Sequence, residues 1–174
     1  LIDAFDNPSK GVTVLQEATI GNGIDIFIMG DGFSMAQFGK GNNYEDVMLQ
    51  AYNDFFRIEP YKSLKEYFNV YYVNAVSEED HDAELTYNGA TQGNASTVFG
   101  TKFTKGSTFI NGNLDMVLQY AMQAIRTKGG KNGTPITDED EIYRRAHSSV
   151  MMVQVNVKTH AGATSIVVTD ASDY

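Results

Sequence analysis

Two apolar runs, each apolar on both faces and separated by one amphipathic helix, constrain this chain most. In Ile24-Asp25-Ile26-Phe27-Ile28-Met29, alternation puts Ile24, Ile26 and Ile28 on one face and Phe27 and Met29 on the other. Such a strand must be covered on both sides, as in parallel sheets whose crossover helices lie on the faces. Gly30-Asp31-Gly32-Phe33-Ser34 breaks the run. Beyond it Tyr44, Val47, Met48, Ala51, Tyr52, Phe55 and Phe56 recur at the spacing of one helical face. Asn43 is placed to cap that helix, with Asp46 in the capping-box position. Pro60 ends it, because the residue before a proline is pushed out of helical angles. Asn69-Val70-Tyr71-Tyr72-Val73-Asn74-Ala75-Val76 follows as a second strand with apolar groups on both faces. The block is a β-turn-α-β unit.

The rest of the chain reads outward from this unit. Residues 1–20 make a lead-in segment and an edge strand beginning at Val12, and residues 21–174 form the body of one domain. Residues 77–112 are rich in Gly, Thr, Asn and acids, the composition of a long functional loop. A helix from Leu114 to Thr127 is capped by Asn113 and closed by Lys128-Gly129-Gly130. A shorter helix is predicted from Thr137, paired with Asp140 at its start, to about His147. Ser149–Asn156 reads as a third central strand, Thr159-His160-Ala161-Gly162 as a turn, and Thr164–Thr169 as a last strand. This order argues a layered α/β fold: a mainly parallel twisted sheet with helices on both faces.

With 174 residues, 42 % of them apolar, the chain can bury a real core. It has no cysteine, which excludes thiol catalysis, thiolate metal sites and disulfides. The net charge is −9 and the lysines and arginines are scattered, so a nucleic-acid partner is not expected. No apolar run reaches the length of a membrane span.

Several residues stand out as candidates for chemistry. Asp31, between two glycines at the carboxyl end of a strand, lies where ligands collect in open α/β sheets. The competing reading is a tight turn in which Asp31 satisfies the turn's own amides. The Gly30-Asp31-Gly32 turn lacks both the G-x-G-x-x-G and the Lys-Ser/Thr phosphate signatures, which disfavours a flavodoxin-like nucleotide or flavin binder. Glu78-Glu79-Asp80-His81-Asp82 is dense enough in oxygen ligands for calcium, with Glu78 and Asp80 as candidate ion contacts, but its spacing is not that of an EF-hand; the alternative is a solvated run of charge. The three histidines, His81, His147 and His160, have no zinc-binding spacing. His147 reads as a helix-end cap, and His160, in a turn after a central strand, as a candidate cleft residue.

Taken together, Ile24 to Phe33 with its Gly30-Asp31-Gly32-Phe33 turn, Phe55-Phe56, Glu59-Pro60-Tyr61 and Tyr67-Phe68-Asn69-Val70-Tyr71 resemble the bacterial IgA-peptidase-like zinc metallopeptidases. So do Val76-Ser77-Glu78, Thr97-Val98-Phe99-Gly100, and the strand Met152–Asn156 with its Ala161-Gly162 turn. The resemblance runs from about Gly11 onward. It implies a zincin-like catalytic domain in a secreted or surface-anchored endopeptidase acting on protein or peptide. Such enzymes hold zinc on an H-E-x-x-H helix whose Glu is the general base. No H-E-x-x-H occurs in residues 1–174. The expectation is therefore that this chain is the N-terminal part of the catalytic domain, with the zinc ligands beyond Tyr174. No catalytic residue carries over to it, and alone it should be inactive and marginally stable. The alternative is a non-catalytic surface binding module that uses the 77–112 loops on the same scaffold.

Overall fold

The β-α-β unit forms the centre of a mixed five-stranded sheet. The computed structural model describes residues 11–39, 43–86, 89–104, 110–159 and 164–168. Strands β1 (Val12–Gln16), β2 (Ile24–Asp31) and β3 (Phe68–Val73) are joined in the sheet by β8 (Val150–Val155) and β10 (Thr164–Val168), in the order β1-β3-β2-β8-β10. The central three strands are parallel, with Ile26 opposite both Val70 and Val150. The outer two are antiparallel to their neighbours, β1 to β3 and β10 to β8. The intervening elements are α1 (Asn43–Phe55), the short strands β4 (Glu84–Thr86), β5 (Gly89–Thr91), β6 (Lys102–Phe103) and β7 (Ile110–Asn111), helices α2 (Leu114–Lys128) and α3 (Glu139–His147), and β9 (Lys158–Thr159).

The alternation read from the sequence sorts the core into two layers. Ile26, Ile28, Val70 and Met152 pack with Tyr44, Met48 and Ala51 of α1. Phe27, Met29, Tyr71, Val73, Met151 and Val153 pack on the other face with Val117, Ala121 and Ile125 of α2 and Ile142 and Ala146 of α3. Each such apolar side chain contributes roughly 1.5–3 kcal/mol on burial, so the central strands are fixed from both sides. Among the described residues, no helix is long and apolar enough to cross a membrane.

Several boundaries differ from the sequence reading, each for a local reason. Strand β2 does not break at Gly30; it continues through Asp31, which stays in register with Val155, and the chain turns at Gly32, where φ is +78°. Strand β3 ends at Val73 rather than Val76. Helix α1 ends at Phe55, because Arg57 and Ile58 donate to carbonyls three residues back and tighten the last turn. Phe56 is thereby set among Tyr52, Phe55 and Phe68. The cap of α3 is Asp138 rather than Thr137, its carboxylate accepting from the amides of Asp140 and Glu141. The 77–112 segment is not one loop: β4 pairs with β5 and β6 with β7, both antiparallel. Asn113 does cap α2, accepting from the Met116 amide. Thr169 and the His160-Ala161-Gly162 part of the proposed turn lie outside the described residues.

A carboxylate inside a strand covered on both faces needs a cation or a full set of hydrogen-bond donors. At the amino end of β2, Asp25 receives two parallel hydrogen bonds from Arg145 of α3, Nε to Oδ2 at 2.9 Å and Nη2 to Oδ1 at 2.8 Å. Asn69 Nδ2 donates to the same Oδ1 at 3.1 Å, and Arg145 Nη1 donates to the Gly129 carbonyl at 2.8 Å. The side chains of Arg145 and Asp25 are only 15 % and 6 % exposed, so the pair is effectively internal. The Asp25 hydrogen bonds hold the Arg145 guanidinium above its ordinary pKa, and burial pushes the neighbouring Tyr71 phenol up to about 12. Breaking an internal pair strands one charge. Replacing Arg145 by Ala should therefore destabilise the fold by roughly 3–5 kcal/mol, read from the urea midpoint; a loss under about 1 kcal/mol, the range of a surface pair, would contradict this.

Candidate functional site at the carboxyl edge

The carboxyl end of β2 is where the candidate residues gather, and Asp31 organises it. Its side chain has no exposed surface. Oδ1 accepts from the Phe99 amide at 2.8 Å; Oδ2 accepts from the Thr101 amide at 2.9 Å, from Thr97 Oγ1 at 2.8 Å and from Thr101 Oγ1. A carboxylate removed from water must have its hydration replaced by donors, and here one distant segment supplies them. Asp31 therefore does not satisfy the amides of its own turn, as the turn reading supposed.

Ser77 makes the second connection. Its Oγ accepts from the Gly32 amide and from the Val98 amide, both at 3.0 Å, and its own amide donates to the Phe33 carbonyl at 2.8 Å. The Gly32 carbonyl accepts from the His81 amide at 2.9 Å and from Asn156 Nδ2 at 2.8 Å. Glycine is required at both positions of the turn. A Cβ on Gly32 would meet the Cβ of His81 at 2.3 Å, and one on Gly30 would lie 2.7 Å from the rings of Phe33 and Tyr44. The buried Tyr44 hydroxyl accepts from the Gly30 amide at 2.9 Å and the Ala75 amide at 3.1 Å and donates to the Val73 carbonyl. It ties α1 to the ends of β2 and β3.

The acidic cluster is not a run of free charge. Asp80 accepts from the Ser34 amide and Gln37 Nε2, both at 2.8 Å. Asp82 accepts from the Asn94 and Ala95 amides, both at 2.9 Å, and Glu79 accepts from the Ser96 amide at 2.7 Å. Segment 94–101 thus has most of its backbone donors met by side chains of residues 31 and 77–82 instead of by a β-ladder. Glu78 is exposed beside them. His81 is buried: Nδ1 accepts from the Ala83 amide at 3.1 Å, so Nε2 carries the proton and donates to the Thr101 carbonyl at 3.0 Å. His147, the last residue of α3, stacks on Tyr143 with ring centroids 3.9 Å apart. His160 lies outside the described residues.

The described residues therefore do not fit a zinc centre. Both nitrogens of His81 are committed, and among the described residues no three His, Asp or Glu side chains converge as metal ligands. What the arrangement does is hold loops: it fixes the Gly32 turn, residues 77–82 and an eight-residue strap over the edge at which a ligand would meet the sheet. The sequence singled out Asp31 and Asp80, and Asp82 within the acidic cluster, but not their donors; it named Ser77 and Thr97 only within resembling blocks and gave Thr101 no role. One signal was available. Asp31 falls on the same alternating face as Phe27 and Met29, which places it inside the core. No protein-family model and no curated protein matches this chain.

Two of the staples report on pH. Burial alone would raise the Asp80 carboxyl, but the bonds from Ser34 and Gln37 outweigh it and hold the group below its ordinary 3.8. The amides of Asn94 and Ala95 lower Asp82 in the same way. A depressed folded-state pKa contributes stability that is present above the unfolded value and lost as pH falls through the folded one. The urea midpoint should accordingly fall below about pH 4, and in the Asp80→Asn/Asp82→Asn variant it should start lower and fall less steeply. An unchanged acid slope in that variant would contradict the assignment.

Proposed function

We propose that this chain is the N-terminal scaffold of a zinc-dependent endopeptidase catalytic domain of the IgA-peptidase-like kind, with zinc ligands supplied by sequence outside these 174 residues. The observation that carries the proposal is the convergence of three sequence blocks that resemble that family. Gly30-Asp31-Gly32-Phe33, Val76-Ser77-Glu78 and Thr97-Val98-Phe99-Gly100 are far apart in the chain, yet they bond to one another at a single edge. Blocks that are shared because they build one unit should meet in this way, whereas chance similarities have no reason to.

The sheet also supports a peptide as substrate. Strand β10 ends the sheet and, among the described residues, pairs only with β8. Such an edge can take an extended peptide as a further strand, with main-chain hydrogen bonds supplying affinity. In this reading the chain's own residues shape and stiffen the cleft wall. The strap held by Asp31 and Ser77 keeps the carboxyl edge in place, and the Asp25–Arg145 pair anchors the opposite end of β2. A zinc ion, when bound by the ligands of the full protein, would activate the attacking water.

The test is cleavage by the full-length protein of an unstructured protein substrate, with and without 1,10-phenanthroline. The proposal predicts cleavage that the chelator abolishes and added Zn²⁺ restores, and no cleavage by residues 1–174 alone. Cleavage indifferent to chelator overturns the zinc assignment; substrate binding without cleavage would make the protein a surface binding module.

A further inference from the structure

At the end of the sheet opposite the strap lies a cleft of about 680 Å³, walled by the β1–β2 connection, the end of α2 and the last turns of α3. Each of its carboxylates already faces a donor or a cation of the protein. Asp25 takes Arg145 and Asn69, and Glu17 accepts from the Gly133 amide at 2.9 Å. Glu141 lies 3.7 Å from Arg145. The helix-end carbonyls that would make this region negative are also capped: Ile125 by the Gly129 amide, Arg126 by the Ile136 amide, Gly129 by Arg145, and Arg144 by Ser148.

The donors are a different matter. Lys131 and Arg144 line the cleft, and among the described residues neither side chain has a hydrogen-bonding or ionic partner. The loop that faces them, Gly21-Asn22-Gly23, has φ of +67° at Gly21 and +82° at Gly23. Gly21 and Asn22 lie in a turn closed by the Gly23 amide on the Ile20 carbonyl, and among the described residues their own amides meet no acceptor. Successive amides in a loop with left-handed residues form a concavity suited to an anion. An arginine and a lysine across from it add the charge, and the guanidinium adds a planar fork that matches an oxyanion. Glu17, Asp25 and Glu141 in this lining are matched by the protein's own donors, and Lys131 and Arg144 are not matched by its acceptors.

We infer that the amino-edge cleft binds a small molecule through a phosphate or carboxylate group, held by Lys131, Arg144 and the Gly21 and Asn22 amides. The site lies away from the carboxyl edge, so the inference stands whether or not the protein is a peptidase. The test is calorimetric titration of the full-length protein with inorganic phosphate and, separately, citrate, at constant ionic strength with chloride as control. Saturable binding of at least one probe is expected. Arg144→Ala/Lys131→Ala should weaken it about tenfold or more, the effect of losing charge-assisted hydrogen bonds. Arg144→Lys should retain part of it. Both side chains are exposed, so the variants should melt like the parent. Phosphate preference would assign a phosphorylated ligand, and citrate preference a carboxylate. Absence of saturable binding by either probe, or equal binding by the double variant, overturns the inference.

Discussion

A carboxylate with no exposed surface has to be matched donor for donor, and at Asp31 the donors come from residues 97–101, far along the chain. That match is the constraint on which the carboxyl edge depends. Left in water, Asp31 would keep its hydration; buried without partners, it would cost several kcal/mol. Folding therefore brings the strap to β2 or does not bury the end of β2 at all. Phe99, fully buried and packed edge-to-face on Tyr120, draws the same strap into the layer beneath α2. Polar and apolar anchors alternate along one short segment and pull the same way.

The two ends of β2 are built on the same principle with different partners. At the amino end a carboxylate on the Phe27 face meets a guanidinium from α3; at the carboxyl end a carboxylate on that face meets amides and hydroxyls from a loop. The first fixes a helix against the sheet, the second a strap over it. Tyr44 adds a third tie, joining α1 to the ends of β2 and β3 through one hydroxyl. Every layer is thus pinned to the central strand by a buried polar group, and the apolar layers fill the space between these pins.

The layered α/β architecture was legible because periodicity states which faces are buried. Ile26 against Phe27, and Tyr44, Met48 and Ala51 at helical spacing, locate the sheet and its first cover before any coordinates. The caps were legible only where one residue could serve, as Asn113 does; at α3, Thr137 and Asp138 both qualified and geometry chose the aspartate. The candidate site was less legible, because a carboxylate names no partner. Asp80 and Asp82 look alike in sequence, yet one holds Ser34 and Gln37 and the other the amides of Asn94 and Ala95. Ser77, a small hydroxyl in a polar stretch, gave no signal of the two amides it accepts from. Asp25 and Arg145 lie too far apart for any local pattern to join them, although a charge inside a strand covered on both faces does announce that a partner exists.

The claim that one buried carboxylate holds the strap is tested most directly by amide hydrogen exchange in Asp31→Asn, a substitution that keeps size and removes charge and acceptor capacity. The account predicts that the Phe99 and Thr101 amides, protected in the parent protein, lose protection by tenfold or more. Amides of the β2–β3 ladder should change far less. Equal protection of Phe99 and Thr101 in parent and variant would show that apolar packing alone places the strap, and would contradict the account.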